Sequence, residues 1–209
     1  MEDVALLLSV ARWIYLSGLI VAPAVAGSAL LRVRSRTGAR PLTLFRRPDA
    51  AELARAALVV LHAVVYVIGT YHHDSWLLRP LVAISSSTVG SGACLYLGGI
   101  ALYALAVRTM GDSFRIGGDP GESTRLVDRG LYARIRHPIY TTMLLEGVGA
   151  AIMYPCAFTL GALPLACAGF FAQARREERI LVERLGDDYS QYMRRTGRFL
   201  PRLRPARRR

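Results

Sequence analysis

The chain has 209 residues, 53% of them hydrophobic, and a formal net charge of +12 from 27 basic residues that are all arginine. This length suits one domain, while the apolar balance, with a mean hydropathy of +0.29, points away from an ordinary soluble protein. The arginines cluster between apolar runs, as in the cytoplasmic loops of a membrane protein, and no aromatic-rich basic face accompanies them, so a nucleic-acid partner is not expected.

The first apolar run extends from Val4 to Leu31 with Arg12 as its only charge, long enough to cross a bilayer. Glu2 and Asp3 precede it in place of a basic n-region, which reads as a retained helix, not a signal peptide. Arg32 to Arg55 carries seven arginines with Pro41 and Pro48, a polar connector with a short surface helix from about Asp49. The second run, Ala56 to Tyr71, is 16 residues long and contains His62, read as a polar contact between helices. After the link His72 to Arg79, 28 residues from Pro80 to Val107 lack any charge and predict a third crossing. Ser85 to Thr88 and the glycines at 90, 92, 98 and 99 predict close helix contacts within it.

Residues 139–174 hold a single charge, Glu146, and are interrupted at Tyr154-Pro155, which predicts a helical hairpin of two crossings. Glu146 has two readings, a lining of an acceptor pocket or a neutral acid hydrogen-bonded to Ser or Thr. The last stretch, Arg175 to Arg209, has twelve arginines and two short amphipathic patterns suited to water or headgroups. Cys94, Cys156 and Cys167 have no metal-ligand spacing, so neither a metal site nor a disulfide framework is expected.

The fold expected is therefore all-α and polytopic, with about five transmembrane helices. Segments 32–55, 108–136 and 175–209 carry seven, six and twelve arginines against one in 72–79. The positive-inside rule then puts the N-terminus outside and all three arginine-rich segments on the cytoplasmic face.

Chemistry concentrates in two blocks. Before the fourth helix stand Met110-Gly111-Asp112-Ser113-Phe114, then Leu126-Val127-Asp128-Arg129-Gly130-Leu131-Tyr132, then Arg136-His137-Pro138-Ile139-Tyr140. Gly130 suits a left-handed turn and Pro138 a first helical turn, which sets His137 at the mouth of that helix, where unpaired N–H groups suit a carboxylate. After the fifth helix come Arg175-Arg176-Glu177-Glu178 and Leu185-Gly186-Asp187-Asp188-Tyr189, with Tyr192 following. Adjacent helical positions are about 100° apart, so the two glutamates cannot face one partner.

The Arg-His-Pro-x-Tyr block, the Glu-Glu pair and the Leu-Gly-Asp-Asp-Tyr tail, in this order, resemble the isoprenylcysteine carboxyl methyltransferase family, to which phospholipid N-methyltransferases are similar. The resemblance spans about residues 94 to 201. It implies residues 1–93 as N-terminal transmembrane helices with an arginine-rich loop, and 94–209 as a methyltransferase region whose cofactor site is cytoplasmic. It implies S-adenosyl-L-methionine as cofactor, held by Thr124, Arg125, Leu126, Val127, Tyr132, His137, Pro138, Ile139, Tyr140 and Glu177. Glu178, Arg176 and Gln173 are the residues expected at the acceptor, a lipophilic small molecule or lipid-modified molecule reached from membrane lipid.

One position departs from the family. Prenylcysteine enzymes have an arginine one turn before the first glutamate, where this chain has Gln173, and Arg176 emerges on a different helical face. A lipid amine is therefore the alternative acceptor. A sterol-type reductase using NADPH shares an Arg-His-Pro-x-Tyr-like block, but its Cys-x-x-Lys-Tyr-Gly tail is replaced here by Glu177-Glu178 and the 185–189 motif. A non-enzymatic membrane partner protein is the remaining reading.

Overall fold

The computed structural model describes residues 3–38, 79–114 and 126–202, with positions 57, 60, 61, 63–65 and 68 between the first two stretches. Continuous described chain forms α1 (Val4–Thr37), α2 (Ser86–Met110), α3 (Pro138–Met153), α4 (Ala157–Leu185) and α5 (Asp187–Arg195), with 3-10 turns at Gly111–Ser113 and Gly130–Ala133. No β-strand occurs among the described residues, and the all-α expectation holds. His62, Thr124 and Arg125 lie outside the described residues.

Local chemistry sets the helix ends. The Asp3 carboxylate accepts from the N–H groups of Ala5 and Leu6 at 3.0 and 3.2 Å, and Gly38, left-handed at φ 69°, stops α1. The helix thus outruns its apolar stretch by a turn and a half, through Arg32 to Thr37, because nothing in that segment opposes helix. In α2 the order is reversed. Residues 80–84 stay outside the helix, because Ser85 and Thr88 cap each other's backbone N–H groups and fix its start. The Ser85 to Thr88 stretch is therefore a helix cap, not the helix contact expected of it.

The hairpin expected over 139–174 breaks at the expected place but into unequal arms. At 1.5 Å per residue, the 16 residues of α3 reach only about 24 Å, short of a ~30 Å hydrocarbon core. The 29-residue α4 continues past its apolar part through Arg175 to Leu185, since helix formers such as Leu, Arg and Glu fill that segment until Gly186. Helices α1, α2 and α4 are long and apolar enough to cross a membrane. Of the second apolar run, the described positions are helical, and Ala63 packs against the core.

The core is a seam of small residues. A Cβ on Gly149 of α3 would stand 2.6 Å from the Tyr96 nitrogen, and one on Gly92 of α2 would stand 2.7 Å from the Gly149 oxygen. Gly99 makes room for the Cγ of Glu146 in the same way, whereas Gly90 and Gly98 face open space. Without a hydrophobic drive between helices in lipid, this close backbone approach is what joins α2 to α3. The Tyr96 hydroxyl crosses to the α1 carbonyl of Tyr15 at 3.0 Å and ties the third helix to the pair. A second cluster at the arginine-rich end joins Ala26, Ala29 and Val33 to Val107 and Phe114, with Ile139 of α3 against it.

The substitution Gly149→Ala should cost about 1–3 kcal/mol through overpacking of this seam. It should lower the thermal midpoint of detergent-purified protein. Gly161→Ala, in open space on α4, should leave the midpoint unchanged or raise it; equal effects of the two would contradict the seam.

Candidate active site

Three segments converge where α3 begins. His137 caps α3, and Pro138 occupies the first helical position, which has no N–H to leave unsatisfied. The charged last third of α4 brings Gln173, Glu177 and Glu178 alongside. The stretch 196–199 after α5 returns to lie on 134–137: the N–H groups of Arg136 and His137 donate to the carbonyls of Gly197 and Arg198 at 2.8 and 3.0 Å, and Gly197 donates back to Arg134. The Thr141 hydroxyl adds a bond to the Phe199 carbonyl at 2.8 Å.

The adjacent glutamates diverge. Glu178 is 4% exposed and faces cations: Arg136 Nε lies 2.8 Å from its Oε1, and Arg198 Nη2 lies 2.5 Å from its Oε2. Arg136 also donates to the carbonyls of Met193 and Thr196, so one guanidinium holds the glutamate and the end of α5 together. Glu177, with its side chain 34% exposed, accepts on Oε1 from the Tyr140 hydroxyl at 2.5 Å and from Gln173 Nε2 at 2.8 Å. The His137 ring lies between the two, with Nδ1 3.4 Å from Glu177 Oε2 and Nε2 3.3 Å from Glu178 Oε1.

An imidazole donates from both nitrogens only when protonated. Burial disfavours charge on His137, but the hydrogen bonds to Glu177 and Glu178 outweigh it and raise its pKa above the usual 6.5. For Glu178, burial is likewise overcome, here by His137, Arg198 and Arg136, which hold the carboxyl far below its ordinary range. Glu177 is lowered as well, against burial, chiefly by His137 and further by Tyr140 and Gln173. All three groups lie outside the apolar parts of the helices.

Aromatic rings wall the cluster. Tyr140 stacks on His137 at 5.6 Å and on Phe170 of α4 at 5.1 Å, and Phe199 of the returning tail tilts against His137 at 6.1 Å. The Gln173 amide turns its nitrogen to Glu177, and its buried Oε1 has no hydrogen-bond partner among the described residues.

The structure therefore brings together His137, Pro138, Tyr140, Gln173, Glu177 and Glu178. Ile139 turns away into the cluster with Val33 and Val107. Tyr132 is buried beneath α5, where its carbonyl receives the Tyr192 hydroxyl at 2.7 Å. Leu126 and Val127 are half-buried, and Arg176 is exposed. Glu146 packs against Gly99 of α2, whereas Tyr140 stacks on Phe170 of α4, and the Glu146 Oε1 also has no partner among the described residues. Two members carried no role in the sequence reading. Arg136 stood in plain view within the Arg-His-Pro block, whereas only the fold could place Arg198, 20 residues beyond Glu178, on the same carboxylate.

A buried acid–cation cluster at the foot of lipid-length helices defines an integral membrane protein with a polar site at one membrane face. Residues 87–188 match the family model of phospholipid methyltransferases. The fold resembles that of the eukaryotic intramembrane Ras methyltransferase, isoprenylcysteine carboxyl methyltransferase, with a TM-score of 0.63 at 21% identity over 93% of this chain and 68% of that one. The resemblance read from the motifs is thus supported by both the matched family region and the fold. The nickel-cobalt-cadmium resistance protein NccN of Alcaligenes xylosoxydans xylosoxydans is 29% identical over 154 residues, 69% of this chain. The chain spans 62% of the length of that curated relative.

Removing Glu178 leaves the buried Arg136 without its counter-charge and His137 with only one of its two, so Glu178→Ala should destabilise the protein by about 3–5 kcal/mol, measured by thermal unfolding in detergent. The pH dependence has two limbs. The raised His137 stabilises fully below its unfolded pKa near 6.5 and loses that contribution as pH climbs through the higher folded value. The depressed Glu178 stabilises above its unfolded value near 4.5 and loses its contribution as pH falls through the lower folded one. The unfolding midpoint should therefore decline on the alkaline side in wild type, and His137→Gln should flatten that limb; an unchanged limb would contradict a protonated ring.

Proposed function

We propose that this chain is a methyltransferase that takes its methyl group from S-adenosyl-L-methionine and acts on a lipophilic acceptor at the cytoplasmic membrane face, with the N-terminus outside. The observation that carries the reading is the partly exposed Glu177 carboxylate, aimed by His137, Tyr140 and Gln173 beside the first turn of α3. These groups fit an amino-acid nucleoside. A fixed carboxylate suits ribose hydroxyls or an ammonium, and the N-terminal end of a helix such as α3 suits a carboxylate.

The cofactor supplies a methyl group on a sulfonium. The chain's own residues bind, orient and exclude water. Glu177 and the α3 terminus hold the cofactor end, and Leu126, Val127, Tyr132 and Pro138, with Thr124 and Arg125, complete its surroundings in our assignment, while Ile139 packs away from it. His137 has both nitrogens on carboxylates and acts as a positioning residue for Glu177. Glu178 fixes the tail over the site, and the aromatic wall of Tyr140, Phe170 and Phe199 keeps it dry. In-line methyl transfer rests on positioning more than on a strong base, so no covalent protein nucleophile is invoked.

A lipid bearing an amine or hydroxyl is the acceptor we favour over a carboxylate. Gln173 Oε1 is a buried hydrogen-bond acceptor in want of a donor, and Glu177 beside it repels an anion. Arg176, exposed on another face of α4, does not offset this.

Calorimetric titration tests the cofactor site. S-adenosylhomocysteine should bind saturably to detergent-purified protein, and Glu177→Ala should weaken it by at least about tenfold, the equivalent of 1.4 kcal/mol. His137→Ala should weaken it less. Binding of NADPH in its place would move the protein to the reductase class, and binding of neither by folded protein would favour a non-enzymatic role.

A further inference from the structure

A cleft unconnected with the glutamate cluster opens between the arginine-rich ends of α1 and α2. Arg32, Arg36 and Arg108 line it over a floor of Ala29 and Val107, and Asp112 closes one side. Arg129, arriving from the next segment, brings its guanidinium against Gly111 at the edge. Among the described residues, four cations thus gather at this cleft with one carboxylate. Asp112 offsets little of this, since its contact with Arg36 is long at 3.8 Å and both side chains are more than half exposed. Arg108 and Arg129 meet no carboxylate among the described residues.

A tendency of arginines to collect on one membrane face explains their number but not their convergence on one cleft. The cleft's surroundings indicate what it faces. One residue before Arg32, Leu31 is 69% exposed, and one turn before Arg108, Leu105 is 49% exposed. Both helices thus pass, at the cleft, from bare apolar side chains to bare guanidinium groups. That border is where acyl chains meet phosphates in a bilayer. The floor of Ala29 and Val107 is small, so a headgroup can approach closely, and guanidinium groups pair phosphate oxygens in two-point contacts. A basic pocket between transmembrane helices is a known form of anionic headgroup site.

We propose that this cleft binds the phosphate of an anionic phospholipid in the adjoining leaflet, with Arg32, Arg36 and Arg108 as ligands and Arg129 as an outer contact. The site is independent of the methyl-transfer reading. Its floor of Ala29 and Val107 belongs to the cluster against which Ile139 of α3 packs.

The test is a binding titration of fluorescent phosphatidic acid to the full chain in neutral detergent micelles. Wild type should bind it saturably. The variant R32Q/R36Q/R108Q should bind at least about fivefold more weakly, while R179Q/R194Q, which removes exposed charge elsewhere, should stay within about twofold. Because arginine losses can also disturb folding, Asp112→Asn provides a gain: removing the competing carboxylate of Asp112 should tighten binding by about twofold. The proposal is overturned if the triple variant binds like wild type, if the control loses as much, or if Asp112→Asn weakens binding. Equal binding of fluorescent phosphatidylcholine would show that headgroup charge is not read. Displacement by inorganic phosphate as readily as by unlabelled phosphatidic acid would make the ligand a soluble phosphate and sink the lipid assignment.

Discussion

The ion cluster at Glu178 is the constraint on which the rest of the site depends. One buried carboxylate receives Arg136 from the segment before α3 and Arg198 from the tail after α5, and shares His137 with its neighbour. Charges so far from water are costly unless every one is paired, which makes the arrangement close to all-or-none. Its return is geometric. It fixes the rotation of α4, and because Glu177 is the preceding residue, it fixes where the partly exposed carboxylate points. A helix cannot turn one of these side chains without turning the other.

The membrane half obeys a different logic. There the helices meet through missing side chains, with Gly92, Gly99 and Gly149 letting α2 and α3 approach to backbone contact. The close seam and the ion cluster share one element, since α3 runs from its cap His137 at the polar end to Gly149 near the other. A precise α2–α3 seam therefore serves the polar site by holding the helix whose cap is the histidine.

Much of this was legible in the residue order. Charge-free runs announce membrane helices because hydrocarbon excludes ionised groups, and the Arg-His-Pro and Glu-Glu blocks announced a polar site between them. The divergence of Glu177 and Glu178 followed from helical geometry alone. Other features were not legible. Whether Ser85 to Thr88 caps a helix or lines a contact depends on where the chain enters the fold, and both uses suit hydroxyl side chains. The unequal arms of the 139–174 hairpin could not be read, because hydropathy ends at Ala174 while helix propensity continues to Leu185. Arg198 was invisible for a simpler reason: in a chain with 27 arginines, nothing local distinguishes the one that is paired with a buried carboxylate.

The pairing of 134–137 with 196–198 also orders events during synthesis. All the described helices precede residue 196, so the carbonyls of Gly197 and Arg198 are added to the chain after the last of them. Until then Arg136 and His137 lack both their backbone partners and the second guanidinium at Glu178. The site is thus closed from the C-terminal side, and a chain cut before Gly197 would hold the described helices without the pairing that closes it.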